Sequence, residues 1–311
     1  MQHDDRTTEN PRDKIPRGIF AAALTPQKDD LTIDHDALLG HCQWLLANGC
    51  DGVCLFGTTG EAASFTVDER KTALESIVNG GFPPDRLLVG TGCCAIPDTV
   101  ALTKRAVGWG AGGVLVIPPY FYKDVSDNAI VEAHRKVIDG TGTSGVNFYL
   151  YHYPYMSGVS LSPTVIKTLA DEYPGVVVGI KDSSGDSANM KTICESFPHL
   201  EFFPGTETLL LDSLRLGGAG CISATINVTA SLAAEIVARR EDGDARDLQN
   251  RLTAIRTTFD RYPLIEALKH MMAVHTGREA WRNARPPISR LTRAEGERLE
   301  SDLASLGFAL G

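Results

Sequence analysis

No stretch of this chain holds the long apolar run that a membrane-spanning helix needs, so a helical integral-membrane protein is not expected. A basic stripe is missing too: Asp and Glu outnumber Lys and Arg by 39 to 30, the formal net charge is −9, and no nucleic-acid surface is expected. The seven cysteines include no C-x-x-C pair and form no metal set with the eight histidines. Their number is odd and several sit in apolar runs, as buried free thiols in a reducing compartment would. The first residues, MQHDDRTTENPRDK, contain no apolar core. They read as a flexible polar arm of a cytoplasmic protein rather than a signal peptide. No low-complexity segment and no long linker interrupts the remainder of the chain.

What is present is the balance of a globular enzyme, 43% hydrophobic and 22% charged. From Gly18 onward, short apolar strands alternate with amphipathic helices. "GIFAAALTP" reads as a first strand ended by Pro26. "DHDALLGHCQWLLANG" has helical spacing, with Asp34 placed to cap it and Gly49 to stop it. "DGVCLFG" and "TVDERKTALESIVNGG" form a second unit, with Thr66 as the cap, and "RLLVGTG" with "PDTVALTKRAVGWG" a third. Strands "GGVLVIPPY", "GVNFYLYHYP", "VVVGIKD", "LEFFPGTE" and "AGCISATIN", each followed by a helix, bring the count to eight. Eight successive β–α units predict an α/β fold, a (β/α)8 TIM barrel, rather than an open doubly wound sheet. Only helices come after them. The expected organisation is an arm over 1–15, a barrel over 16–240 and a helical C-terminal extension over 241–311.

In such a barrel the reactive groups sit where strands end. The second strand ends in "FGTTGE" with Thr58 and Thr59, the fourth in "PPYFYK" with Tyr120, Phe121 and Tyr122, the fifth in "YHYP" with Tyr151. The sixth delivers Lys181 at the end of a buried, β-branched run, the seventh Gly205 and Thr206, the eighth Ser223, Thr225 and Asn227. An unpaired ammonium group in an apolar setting is costly and responds by losing its proton, which is what an amine nucleophile needs. Neighbouring strands five and six should set Tyr151 beside Lys181. An amine next to a phenol suits imine chemistry, the amine attacking a ketone while the phenol shuttles a proton. The Gly-Thr-Thr-Gly turn suits a carboxylate, because its glycines let backbone N–H groups come close. Taken singly, each feature also has an ordinary structural reading: a salt-bridged lysine, a core tyrosine, a capped loop. Asp182 follows Lys181 but should point to the opposite face, and His152 should face the outer layer. "GGAG" at 217–220 precedes the eighth strand, so it belongs to the far end of the barrel and is no phosphate loop.

In order along the chain, GTTGE, Y-x-x-P and G-I-K-D resemble the dihydrodipicolinate synthase and N-acetylneuraminate lyase family of Schiff-base lyases. The similarity runs from Gly18 to about Gly277 and includes "GGAGCISATIN". It implies a barrel with a helical C-terminal part, assembled as a homotetramer or homodimer, with no metal or organic cofactor. It implies that Lys181 forms an imine with pyruvate or another 2-keto acid, that Tyr151 is the proton shuttle, and that Thr58 and Thr59 hold the keto-acid carboxylate. Thr59 would also hydrogen-bond Tyr151. Gly205 and the backbone of Ile222 would line the pocket near the amine. Two departures bear on the substrate. The synthases of the family carry an arginine after Y-x-x-P, where this chain has Met156, and an apolar thioether cannot replace a guanidinium as an anion grip. Their tyrosine pair after the fourth strand becomes "PYFYKD", leaving open whether Phe121 or Tyr122 fills the second position. "Met-Ser-Gly" is closer to the aldolase branches. The expected activity is therefore reversible cleavage of a 2-keto (3-deoxy or 4-hydroxy) acid to pyruvate and an aldehyde. The alternatives are the synthase reaction with aspartate semialdehyde, dehydration of a keto-deoxy acid, and a 2-keto acid binder without chemistry.

Overall fold

The computed structural model describes residues 16–310, so the arm expected over 1–15 lies outside the described residues. Eight strands, β1 (Gly18–Ala22), β2 (Gly52–Leu55), β3 (Leu87–Gly90), β4 (Gly113–Val116), β5 (Phe148–His152), β6 (Val177–Asp182), β7 (Glu201–Pro204) and β8 (Gly220–Ser223), lie in the order β7-β6-β5-β4-β3-β2-β1-β8. β1 pairs in parallel with both β2 and β8, so the sheet curls round on itself. Across the remaining seam the Ala219 N–H donates to the Phe202 carbonyl at 2.8 Å. The result is a nearly closed TIM barrel, as the alternation of elements predicts.

Among the described residues, nine α-helices follow the strands: α1 (His35–Ala47), α2 (Val67–Asn79), α3 (Ile96–Gly108), α4 (Asp127–Thr141), the single turn α5 (Pro154–Ser157), α6 (Pro163–Glu172), α7 (Ser187–Ser196), α8 (Leu210–Arg215) and α9 (Ile226–Ala238). Their starts follow local chemistry. The Asp34 carboxylate accepts from the Ala37 N–H, and Thr66 with Glu69 makes a reciprocal capping box, each cap contributing about 1 kcal/mol. Apart from Gly18, every strand residue is buried, because helices cover the outside and side chains fill the inside. Phe20, Leu88, Leu115, Tyr149 and Phe203 form the interior plug.

Three more helices, α10 (Ala245–Phe259), α11 (Leu264–Thr276) and α12 (Arg293–Ser305), complete the described chain. Phe259, Leu268, Trp281 and Leu299 pack with Leu24, Ala224 and Val228 of the barrel. A buried ion pair between Glu61, in the turn after β2, and Lys269 of α11 ties this region to the barrel mouth.

One irregularity positions the centre of the site. Along the β5–β6 ladder Phe148 lies opposite Val177, but Tyr149 lies opposite Gly179, a slip of one residue. Val177 and Ile180 consequently share the outer core, which strict alternation forbids for residues three apart. Beyond the slip, Lys181 is in register with Tyr151 and Phe203, both of the barrel interior. Gly179 makes room for it: a Cβ there would stand 2.7 Å from the Tyr149 ring.

Candidate active site

Lys181 ends inside the barrel mouth, 4% exposed, with its Nζ 4.5 Å from the centroid of the Tyr151 ring. It has no hydrogen bond or ion pair among the described residues. Asp182, next in sequence, points outward. Its carboxylate accepts from the Ser184 N–H and from Asn189 of α7, both at 2.8 Å, and does not serve the lysine. His152 also faces the outer layer, where its Nδ1 accepts from the Leu161 N–H at 3.0 Å and burial lowers its pKa.

Above Lys181 opens a cavity of about 800 Å³ whose wall includes Thr58, Thr59, Tyr151, Met156 and Gly205. The hydroxyl that meets Tyr151 is Thr58's, at 3.3 Å, not that of Thr59. This corrects the assignment drawn from the resemblance: Thr59 lies against the cavity but is buried in the turn. The turn itself is held from three sides. Thr25 donates to the Gly60 carbonyl at 2.8 Å, and Glu61, at φ 56°, is clamped by Gln27 Nε2 at 2.9 Å and by Lys269. Gly205 is required by contact, since a Cβ there would fall 2.0 Å from the Ser183 hydroxyl.

Other expected positions sort differently. The Ile222 side chain belongs to the interior plug, and Ala224, just past β8, lines the cavity wall. Tyr120 lines a second cavity of about 310 Å³ that shares Thr58, Tyr151 and Met156 with the first. Burial, then the neighbouring Cys94, pushes its phenol up to about 12. Phe121 and Tyr122 are 73% and 74% exposed, packed edge-to-face at 5.3 Å, and reach neither cavity. Met156 is half-exposed on the wall of both. Ser223 and Thr225 do not face the cavity; they donate to a buried carboxylate, Glu207. Asn227 holds the Leu24 N–H and the Ala22 carbonyl at the end of β1.

Sequence reasoning missed what α10 and the turn into α11 contribute. Arg256 in the last turn of α10 and Asp260, the residue that caps it, line the cavity together with Tyr262 and Glu266. Arg256 Nη1 lies 3.3 Å from Glu207 and its Nε donates to Asp260 at 2.9 Å. Burial works against the guanidinium charge, but the two carboxylates outweigh it and raise its pKa. An acidic residue within the apolar and hydroxyl-rich stretch around "PGTETLLL" was the available signal, since a buried carboxylate needs a cation. Lys269 was missed as well. It is buried and burial lowers its pKa, but Glu61 and the Asn283 carbonyl at 2.6 Å immobilise it, and it lines neither cavity.

A parallel barrel with an unpaired lysine facing a tyrosine at the carboxyl ends of adjacent strands defines a class: barrel enzymes whose reactive groups converge on that mouth. Within that class, the chain belongs to the dihydrodipicolinate synthetase family, whose model matches residues 15–306. It is 35% identical over 82% of its length to a DapA-like lyase of Chloroflexus aurantiacus, covering 85% of that protein. The structure is similar to dihydrodipicolinate synthase of Agrobacterium tumefaciens, with a TM-score of 0.87, 30% identity, and 94% and 99% of the two chains covered. It also matches YagE, a prophage protein of E. coli K12 solved in complex with pyruvate, with a TM-score of 0.85, 27% identity, and 94% and 99% covered. Among the described residues no helix is long and apolar enough to cross a membrane.

Proposed function

We propose that the protein is a pyruvate-dependent carbon–carbon lyase that works through an imine at Lys181. The supporting observation is the Lys181 amine itself: buried, with no hydrogen bond or ion pair among the described residues, set over the Tyr151 ring and open to a cavity of about 800 Å³. The amine adds to C2 of a 2-keto acid and water leaves, giving a cationic imine. When the C3–C4 bond breaks, its electron pair moves to the imine, and Tyr151 accepts the proton of the C4 hydroxyl as the aldehyde departs. The resulting enamine takes a proton at C3, and hydrolysis returns pyruvate and the amine. Thr58, on the Tyr151 hydroxyl, keeps that proton's path aligned, and N–H groups of the Thr58–Thr59 turn hold the keto-acid carboxylate. Pyruvate in the YagE structure and the lyase name of the Chloroflexus relative support this reading.

Reduction with borohydride in the presence of pyruvate, followed by peptide mapping, tests it. The expected result is a reduced adduct on Lys181, absent in Lys181→Arg; an unmodified Lys181 refutes the proposal. The synthase reaction with aspartate semialdehyde remains the second reading, favoured by relatives such as the 4-hydroxy-tetrahydrodipicolinate synthase of Methanothrix thermoacetophila, 33% identical. Met156, half-exposed on the cavity wall, offers that aldehyde's carboxylate no ion pair. Efficient turnover of aspartate semialdehyde in a coupled assay would reverse the order. The exposed Phe121–Tyr122 pair supports assembly into a homodimer or homotetramer, which light scattering measures.

A further inference from the structure

The cavity over Lys181 has two ends of different chemistry. The inner end carries the amine, the phenol and the threonine turn. The outer end is walled by Arg256 in the first helix beyond the barrel, by Asp260 at that helix's C-cap, and by Glu266 at the start of α11. Arg256 is held there by an unusually complete support. Glu207, fully buried in the turn that follows β7, receives the hydroxyls of Ser223 and Thr225, with Thr229 at 3.3 Å and Arg256 Nη1 also at 3.3 Å. Burying a carboxylate costs several kcal/mol even after relaxation, and a surface arginine needs no such anchor. Nε is engaged by Asp260, Nη1 by Glu207, Ser223 and Thr225, whereas Nη2 has no partner among the described residues.

The charge balance limits what Nη2 can take. Lys181 and Arg256 are the cations on the cavity wall, facing Asp260 and Glu266, with Glu207 directly behind the guanidinium. Once an imine forms, the keto-acid carboxylate offsets its positive charge. What remains at the outer end is one guanidinium against three carboxylates. A second anionic group would enter a site already carrying excess negative charge, and Met156 brings no compensating cation. A neutral group that both donates and accepts hydrogen bonds fits: Nη2 donates to its oxygen and Asp260, or the Thr208 or Thr257 hydroxyl, accepts its proton.

We propose that Arg256 and Asp260 form the specificity element of the site, selecting an uncharged, hydroxyl-bearing aldehyde half and rejecting aldehydes that carry a carboxylate. The proposal rests on the imine reading above and adds the identity of the distal half. The test is aldol addition of pyruvate to three aldehydes of similar size: glyceraldehyde, succinic semialdehyde and butanal. Wild-type enzyme is expected to prefer glyceraldehyde over both others in kcat/KM. Arg256→Lys keeps a cation beside Glu207 but loses the planar fork, and should lower kcat/KM for glyceraldehyde about ten- to hundredfold. Asp260→Asn, at a half-exposed position, should narrow the discrimination against succinic semialdehyde several-fold. Borohydride trapping with pyruvate alone is run on all three proteins, because it reports the inner end without any aldehyde. If wild-type trapping fails, the imine reading falls. If trapping succeeds but wild-type enzyme prefers succinic semialdehyde or butanal, or Arg256→Lys handles glyceraldehyde as wild type does, the specificity proposal alone is overturned.

Discussion

Replacing Lys269 by Met tests how the mouth of the barrel is held open in the right shape. Lys269 and Glu61 are 1% and 0% exposed at their side chains, and their ion pair joins α11 to the turn carrying Thr58 and Thr59. Burial pushes Glu61 up and Lys269 down, so each ion depends on the other to stay charged. Removing only the ammonium strands a buried carboxylate, which costs about 3–5 kcal/mol. It also deprives the Asn283 carbonyl of its 2.6 Å donor. Against a typical total stability of about 5–15 kcal/mol, that loss is large. Glu61→Leu combined with Lys269→Met removes both charges and should recover most of it, because the desolvation cost disappears with the attraction. Urea unfolding followed by circular dichroism measures both variants, with an unchanged m-value required for comparison. A loss below about 1 kcal/mol for Lys269→Met, or a double variant no better than the single one, would refute the reasoning.

Thr58→Val removes the hydroxyl partner of Tyr151 and should lower kcat about ten- to hundredfold with pyruvate trapping retained, whereas Thr59→Val should act mainly on KM; equal effects of the two in steady-state assays would contradict the observed contact. His41 is buried against Asn227, and burial lowers its pKa from 6.5 to about 4. Between those values the unfolded chain binds a proton that the folded one does not, so the neutral imidazole's contribution is fully present above pH 6.5 and is lost as pH falls through 4, about 3 kcal/mol in all. Urea titrations at pH 7 and pH 4.5 should show this slope, and His41→Gln should flatten it. Gly179→Ala puts a methyl group 2.5 Å from the Glu201 carbonyl and 2.7 Å from the Tyr149 ring, and should reduce both stability and Lys181 trapping. A variant with wild-type trapping would show that the barrel interior has slack at this level.

The fold was legible because eight buried runs alternate with capped helices, and a parallel barrel is what such a series can bury. Asp34 and Thr66 sit where the helix starts require them. The inner half of the site was legible for a related reason: strand-end residues are set directly by strand order, and β5 beside β6 sets Tyr151 against Lys181. What escaped notice comes from long-range packing. Arg256 lies on an ordinary-looking amphipathic helix, and only the docking of α10 on α8, α9 and the turn after β7 turns that side chain toward the cavity. The choice between Thr58 and Thr59 was equally hidden, since two adjacent threonines on one turn have no sequence signal for which hydroxyl meets the phenol.

The facing of Lys181 itself rests on a detail that no pattern of apolar residues could reveal. VVVGI is apolar at each position beside its glycine, so the run carries no alternation from which to read a phase. Counted strictly from Val177, which joins the outer core, every second residue faces outward, and Lys181 would lie among the surrounding helices. The one-residue slip opposite Phe148 and Tyr149 reverses that phase within the strand and turns the amine inward. Gly179 permits the reversal, because the Tyr149 ring occupies the space a side chain would need. A strand irregularity is usually a local weakness in hydrogen bonding. Here it decides which solvent environment the reactive nitrogen has, and with it whether the barrel carries any chemistry at this position.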